Sequence, residues 1–264
     1  MTQNKKMEQF TNMSELLFVP SAIGTSTTLA TKLTNENIRL RETKNAIYFN
    51  IQHGFFDKLV IVDGSDTDVF SGKEIQEIEN RGIQVEQLKF QQPKAAVQRL
   101  GKSYGEMTIT NYMLNNSKLV NEFGGFVKIS GRYNFVNAAN VMPSLQRYST
   151  FFVNYHPYFI RKFYPYTSTI LYKTSIEFFK EHLSDCGAEC NADVDGYLES
   201  VFFRRLNRLK KSNLSIAYPY FSGISGVTGN AIVDGHLRKR RILSSLGLLS
   251  FTCDALDVKR RFFL

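Results

Sequence analysis

The first half of the chain alternates short apolar runs with longer stretches that mix apolar and charged residues. The apolar runs cover residues 16–19, 59–62 and 126–129, and residues 83–90 alternate between apolar and polar side chains, which predicts a further strand. Residues 59–62 read Leu-Val-Ile-Val, which is typical of a strand that is covered on both faces. A β-α-β-α-β-α-β order favours a mostly parallel sheet with helices on both faces. We therefore predict an α/β fold whose functional residues follow the carboxyl ends of the strands.

The stretches between these runs are predicted to be helices. In the first half they cover residues 35–53, 73–80 and 93–116. In the second half, residues 175–183 and 195–211 have helical spacing, and residues 219–229 form a glycine-rich loop. No internal repeat and no low-complexity linker divides the chain, so we predict a single domain over residues 1–264.

The composition excludes several classes of protein. The chain is 43% hydrophobic and 13% aromatic, which is too apolar for a disordered protein. Three cysteines do not make a disulfide scaffold, and no apolar run is long enough for a signal peptide or a membrane span. We therefore expect a cytoplasmic protein. The formal net charge of +9 indicates an anionic partner, either nucleic acid, a phosphorylated small molecule or a membrane surface.

The first candidate site follows the second predicted strand. An aspartate at that position, Asp63, can accept hydrogen bonds from a base or a ribose, and Gly64 permits a tight turn before Ser65. Asp-Gly-Ser is also common in ordinary turns. The sequence Ile-Val-Asp-Gly-Ser-Asp-Thr-Asp resembles the "VDDGSTD" signature of GT-A-fold glycosyltransferases, in which the aspartate holds the nucleotide base. The resemblance implies that Asp63, Gly64 and Ser65 bind the nucleoside together with Pro20 and Ser21.

A second segment, residues 101–106, opens a predicted helix. Glycine at a helix N-terminus exposes backbone N–H groups, and Lys102 adds positive charge beside Gly101, so a phosphate group fits there. The segment is neither a P-loop nor a dinucleotide fingerprint. It resembles the "GKGxGE" segment of small glycosyltransferases from bacterial capsule and lipopolysaccharide clusters.

Two further blocks extend this resemblance. Residues 126–133 resemble the "F-K-I-[ST]-G-R-Y" block of the same group, and residues 221–226 resemble its late Gly/Ser loop. The blocks span roughly residues 14 to 230. The resemblance implies a GT-A-like, Rossmann-like fold that transfers a sugar from a nucleotide-sugar donor to a glycan or lipid-linked acceptor. Such an enzyme has a nucleotide-binding half at about residues 14–135 and an acceptor and catalytic half at about 136–235.

The sequence departs from that family at the metal site. Most GT-A enzymes carry an Asp-x-Asp motif after the fourth strand, where it binds a divalent metal. Here the same place reads Ser130-Gly131-Arg132. We predict that Lys102, Lys128 and Arg132 clamp the donor diphosphate instead, because guanidinium and ammonium groups neutralise phosphate. No cofactor is then required, although a divalent metal stays open as the alternative.

An inverting transferase also needs a carboxylate base. The family places this base at the start of a late helix, and the candidates at that position here are Asp195 and Glu199. Both residues could instead have a structural role. Asp195 could be a helix N-cap, and Glu199 could be a charge in the first turn that interacts with the helix dipole. His236 and the basic residues that follow it are weaker candidates for the diphosphate. If the enzyme retains configuration, no base is needed in this place.

The C-terminal segment, about residues 236–264, is basic and amphipathic. It resembles an interfacial helix, which fits peripheral binding to an anionic inner membrane and a lipid-linked acceptor. A solvated surface is the alternative.

No RNA-recognition, zinc-finger or helix-turn-helix pattern is present, so we expect no nucleic-acid partner. A basic RNA-binding module is the non-enzyme alternative. A sugar nucleotidyltransferase is the enzyme-class alternative. Such an enzyme should carry a basic, glycine-rich loop directly after the first strand. Residues 20–24 contain no basic residue, which argues against this alternative.

Overall fold

The computed structural model describes residues 14–24, 32–53, 55–155, 166–191, 197–208, 211–212, 219–225, 229–232 and 249–255. The strands are β1 Leu16–Ser21, β2 Lys58–Asp63, β3 Gln84–Lys89, β4 Gly125–Ile129, β5 Tyr133–Phe135, β6 Tyr148–Tyr155, β7 Tyr166–Thr167, β8 Leu171–Ser175, β9 Lys211–Ser212, β10 Phe221–Ile224, β11 Ala231–Ile232 and β12 Leu249–Ala255. The α-helices are α1 Glu36–His53, α2 Gly72–Glu79, α3 Lys94–Leu100, α4 Lys102–Asn116, α5 Lys118–Phe123, α6 Ala138–Leu145, α7 Ile176–His182 and α8 Leu198–Leu206.

Most of these strands, in the described part of the chain, belong to one sheet with the order β3-β2-β1-β4-β8-β6-β12-β9. The strands β1 to β4 run parallel to one another, and β8, β6, β12 and β9 continue the sheet in antiparallel pairs. A smaller antiparallel sheet joins β11, β10 and β5. Because β1 lies between β2 and β4, the carboxyl ends of these three parallel strands meet at one edge.

The side chains of the central strands alternate between two hydrophobic cores. Leu17 and Val19 of β1 face the core that α1 and α6 cover, whereas Leu16 and Phe18 face the core under α4, α7 and α8. All four side chains are at most 1% exposed. Burial on both faces explains why these strands read as continuous apolar runs in the sequence. The α/β fold class with helices on both faces of the sheet is therefore confirmed.

The structure refines several predicted boundaries. The helix expected over residues 93–116 is broken at Gly101, whose φ of 89° does not fit an α-helix, so α3 and α4 are separate helices. The antiparallel strands β6 and β8 lie in the aromatic-rich second half, for which no strands are predicted. The late glycine-rich loop contains the strand β10. Of the helices that are described, none combines the length and the apolar character of a membrane span.

Gly131 is needed where the loop after β4 crosses the end of β1. A Cβ atom at Gly131 would lie 2.8 Å from the backbone oxygen of Pro20, which cannot move without shifting β1. We therefore expect Gly131→Ala to lower the free energy of unfolding by about 1–3 kcal/mol, measured by denaturant titration. Gly72→Ala is the matched control, because a Cβ atom there meets nothing within 4 Å. Equal stability of Gly131→Ala and the wild type would contradict this packing.

Candidate functional site

A cleft opens at the edge where β1 and β4 end. Its walls come from the loop after β1, the helices α1, α3, α4 and α8, and the loops that follow β4 and β7. The residues that line it are Pro20, Ser21, Ala22, Gly24, Arg39, Gln92, Val97, Lys102, Gly105, Glu106, Ile109, Ser130, Gly131, Arg132, Tyr133, Thr169, Ile170 and Glu199.

The structure brings about half of the predicted site residues into this cleft. Pro20, Ser21, Lys102, Gly131, Arg132 and Glu199 line it. Asp63, Gly64, Ser65, Gly101 and Lys128 are not among the lining residues. Asp195 and His236 fall outside the residues that the structure describes.

Asp63 lies beneath the cleft as the centre of a hydrogen-bond network. Its side chain is fully buried. Its Oδ2 atom accepts hydrogen bonds from the Ser21 hydroxyl at 2.6 Å and from the Ile23 N–H at 3.0 Å. Its Oδ1 atom accepts from the Ser65 N–H at 2.8 Å, the Ser65 hydroxyl at 2.5 Å and the Thr67 N–H at 3.2 Å. Asp63 therefore acts on the cleft through the loops that it holds in place.

Neighbouring contacts extend this network to α4. The N–H of Gly24 donates to the hydroxyl of Ser65 at 2.8 Å. The N–H of Gly64 donates to the Ser21 oxygen at 2.9 Å, and Gln92 packs so closely that a Cβ atom on Gly64 would lie 2.6 Å from its side chain. Gln92 in turn donates from Nε2 to the oxygen of Gly105 at 2.6 Å. The loops after β1 and β2 are thereby fastened to the helix that carries Lys102.

Lys128 is buried below the cleft and is fully occupied. Its Nζ atom donates to Glu106 Oε1 at 2.5 Å, to the hydroxyl of Ser130 at 2.9 Å and to the backbone oxygen of Thr169. The side chain has no exposed surface. A direct contact with a diphosphate, as predicted from the sequence, would require at least one of these bonds to break. What Lys128 does in this structure is position the carboxylate of Glu106.

Lys102 and Arg132 are the predicted cations that do line the cleft. The side chain of Lys102 is exposed at the cleft. The surrounding protein nevertheless displaces water from its ammonium group and lowers its pKa, whereas the negative charge of Glu106 raises it. Burial also lowers the pKa of Arg132. The Nε atom of Arg132 is buried and has no hydrogen-bond partner.

Arg39 is a third cation in the cleft, and the sequence predictions missed it. Its side chain is 6% exposed, its Nη1 donates to the oxygen of Leu33 at 3.1 Å, and its Nη2 donates to the oxygen of Ala22. Its buried Nε has no partner. Burial and the nearby Arg132 lower the pKa of Arg39 to about 10. Arg39 shares the buried face of α1 with Thr43 and Ile47, so an arginine at the helical spacing of that buried face was the available signal.

Two carboxylates face these cations. Glu106 is held by Lys128, and Glu199, in the first turn of α8, accepts a hydrogen bond from the Thr169 hydroxyl at 3.0 Å. Burial raises the pKa of the neighbouring Tyr133, so its hydroxyl stays protonated at neutral pH. The described residues contain no cluster of three or more His, Cys, Asp or Glu side chains that would hold a metal ion.

No protein-family model and no curated protein matches the chain. Several solved structures are similar to it, among them the following two. A putative glucose-1-phosphate thymidylyltransferase from Bacillus anthracis, in complex with a sucrose, is 13% identical, with a TM-score of 0.47 over 88% of this chain and 95% of that chain. HddC from Yersinia pseudotuberculosis is 12% identical, with a TM-score of 0.36 over 80% of this chain and 94% of that chain. The fold assignment rests on the strand order and registers given above.

Removal of the Glu106 carboxylate should destabilise the protein, because it leaves Lys128 buried without a counter-charge. We expect Glu106→Ala to lower the free energy of unfolding by about 3 kcal/mol.

Denaturant titrations at neutral pH measure this effect. Asp68→Ala is the control, since Asp68 pairs with Lys89 on the exposed surface and should have no measurable effect. Similar stabilities for the two variants would contradict the buried ion pair.

Proposed function

We propose that this protein is a glycosyltransferase that binds the diphosphate of a nucleotide-sugar donor with arginine and lysine side chains and needs no metal. One observation carries the proposal. Arg39, Lys102 and Arg132 line a single cleft at the carboxyl ends of parallel strands, where α/β proteins bind their ligands. The sequence resemblance to GT-A glycosyltransferases supplies the sugar chemistry.

The charge balance of the cleft supports an anionic ligand. Its lining carries three cations, Arg39, Lys102 and Arg132, against the two carboxylates of Glu106 and Glu199. Glu106 is already compensated by Lys128, so the surplus of positive charge is greater than the lining residues alone suggest. A diphosphate ester carries about two negative charges at neutral pH, and guanidinium groups bind its oxygens in bidentate fashion.

The nucleoside is assigned to the loop after β1. Pro20 and Ser21, the last two residues of β1, line the cleft at the start of that loop. Asp63 fixes the entry to the loop through the Ser21 hydroxyl and the loop itself through the Ile23 N–H. In this proposal Asp63, Gly64 and Ser65 shape the nucleoside pocket by fixing the loop.

Glu199 is the proposed base. It lines the cleft, and the Thr169 hydroxyl orients its carboxylate. The acceptor hydroxyl transfers its proton to Glu199 as its oxygen forms a bond to the anomeric carbon. The bond between that carbon and the diphosphate breaks, and its electron pair leaves with the nucleoside diphosphate. Lys102 and Arg132 stabilise the negative charge of this leaving group. Asp195 remains the alternative base.

The acceptor is proposed to be a glycan or a lipid-linked oligosaccharide of a bacterial surface polysaccharide, such as capsule or lipopolysaccharide. This proposal rests on the sequence blocks that resemble that group of transferases. The basic segment at about residues 236–264 would hold the enzyme on the anionic inner membrane face, with His236 near the diphosphate.

A sugar nucleotidyltransferase is the second candidate, and one contact favours it. The loop after β1 contains no basic residue of its own, but Arg39 donates a hydrogen bond to Ala22 of that loop and so brings a guanidinium to it. The two reactions differ in their products. A nucleotidyltransferase joins a nucleoside triphosphate to a sugar phosphate and releases pyrophosphate, whereas a glycosyltransferase releases a nucleoside diphosphate.

Nucleotide-sugar binding is tested by thermal shift. We expect one of the UDP-, GDP-, CMP- or dTDP-sugars to raise the melting temperature by about 5 °C at a hundredfold excess over its Kd. The shift should be equal in EDTA and in Mg²⁺ or Mn²⁺, because the cations are part of the protein. A shift only with metal contradicts the metal-independent clamp, and no shift with any nucleotide sugar contradicts the proposed function.

The role of Glu199 is tested by Glu199→Gln, which keeps the size of the side chain but removes the base. We expect kcat to fall by about 10²–10⁴-fold, while donor binding stays within a few-fold of the wild type. Glu177→Gln is the control, since Glu177 is an exposed glutamate in the first turn of α7. Unchanged kcat in Glu199→Gln would remove this residue from the mechanism.

A further inference from the structure

Two arginines in the cleft each have a buried Nε donor without a hydrogen-bond partner. The Nε atoms of Arg39 and Arg132 are both buried and both lack a partner. The large majority of buried side-chain polar atoms in folded proteins have a hydrogen-bond partner, which can be an ordered water. Both arginines line the same cleft. Two positively charged side chains in one cleft, each with an unsatisfied hydrogen-bond donor, point to an anionic ligand that both of them bind.

Among the described residues, the carboxylates near this pair form no ion pair with it. In the described part of the chain neither guanidinium lies within ion-pair distance of a carboxylate. Asp63 and Glu36 both attract Arg39. The two oxygens of Asp63, however, already accept five hydrogen bonds from Ser21, Ile23, Ser65 and Thr67. The two arginines also repel each other, which is costly for charges that are shielded from water. A bound anion removes this cost.

The orientation of Arg39 is set before any ligand binds. Its Nη1 and Nη2 atoms are held by the oxygens of Leu33 and Ala22, so the plane of the guanidinium is fixed. The backbone of Arg132 is held in place by β10. Gly223 packs against the backbone oxygen of Arg132 so closely that a Cβ atom at Gly223 would overlap it. A guanidinium group that is already oriented, as that of Arg39 is, binds a tetrahedral oxyanion with a small loss of entropy.

We propose that Arg39 and Arg132 together form a subsite for one phosphate group, with Arg39 as a ligand-binding residue in its own right. The proposal deepens the proposed function and rests on it for the identity of the ligand, a nucleoside diphosphate ester. Lys102, at the N-terminus of α4, is then left for the other phosphate of the same diphosphate.

A buried water is the competing explanation for Arg39. Thr43 lies one turn further along α1, and its hydroxyl is also buried without a partner. A water between Nε of Arg39 and Oγ1 of Thr43 would satisfy both groups without any ligand. The two explanations differ in whether an added phosphate compound changes the environment of the Arg39 Nε.

The experiment follows the arginine Nε–H signals of the ¹⁵N-labelled full chain by NMR during titration with inorganic pyrophosphate. Sodium chloride at matched ionic strength is the blank. We expect the Arg39 and Arg132 signals to shift together along one saturation curve. Pyrophosphate binding that leaves the Arg39 signal unmoved, or no pyrophosphate binding at all, overturns the subsite.

Substitutions provide the second readout. Arg39→Lys and Arg132→Lys should each weaken pyrophosphate binding at least tenfold, because lysine loses the planar fork that binds phosphate. Arg41→Lys is the matched control on the same helix, since the Arg41 side chain is 66% exposed, and it should leave the affinity unchanged. An Arg39→Lys variant that binds as tightly as the wild type overturns the assignment. If that variant does not fold, the titration of the wild-type protein decides. The buried Nε–H of Arg39 exchanges slowly with water, so its signal can be told apart from those of exposed arginines.

The outcomes separate the subsite from the proposed function. Pyrophosphate binding through both arginines without binding of any nucleotide sugar upholds the subsite and contradicts the proposed function. Nucleotide-sugar binding that leaves the Arg39 signal unmoved upholds the function and overturns the subsite.

Discussion

The buried carboxylate of Asp63 is the interaction on which the geometry of the cleft depends. Five hydrogen bonds to its two oxygens tie the loop after β1 to the loop after β2. A buried, ionised carboxylate is stable only when such donors compensate its lost hydration, so the loops and the charge stabilise each other. Arg39 is fastened to the same loop through Ala22. The position of the cleft's cations therefore follows from a residue that the ligand need not touch.

The cleft contrasts with the rest of the interior in how its charges are compensated. Lys128 is paired with Glu106, and Lys173 is paired with Glu15, so buried lysines elsewhere have carboxylate partners. Arg39 and Arg132 have none among the described residues, and each retains an unsatisfied Nε. Proteins keep unfavourable electrostatics of this kind mainly where a ligand completes them. The difference between compensated and uncompensated cations is the physical basis for placing an anion here.

Local sequence signals were enough to predict the parallel half of the fold. Continuous apolar runs such as residues 59–62 mark strands buried on both faces, and residues after the strands, including Arg132, meet in the cleft as the topology requires. Contacts between distant elements could not be predicted in this way. The pairing of Lys128 with Glu106 depends on how α4 packs against β4, so Lys128 reads as a free cation in the sequence. Arg39 was missed because its site lies within a helix rather than after a strand.

The central claim is that protein cations, including Arg39, replace a metal at the donor diphosphate. A crystal structure with a non-hydrolysable nucleotide-sugar analogue, grown with Mg²⁺ present, tests it most directly. The account predicts phosphate oxygens about 3 Å from the Nε atoms of Arg39 and Arg132, with no metal between the protein and the diphosphate. A diphosphate bound through a metal ion, or bound away from both arginines, would contradict it.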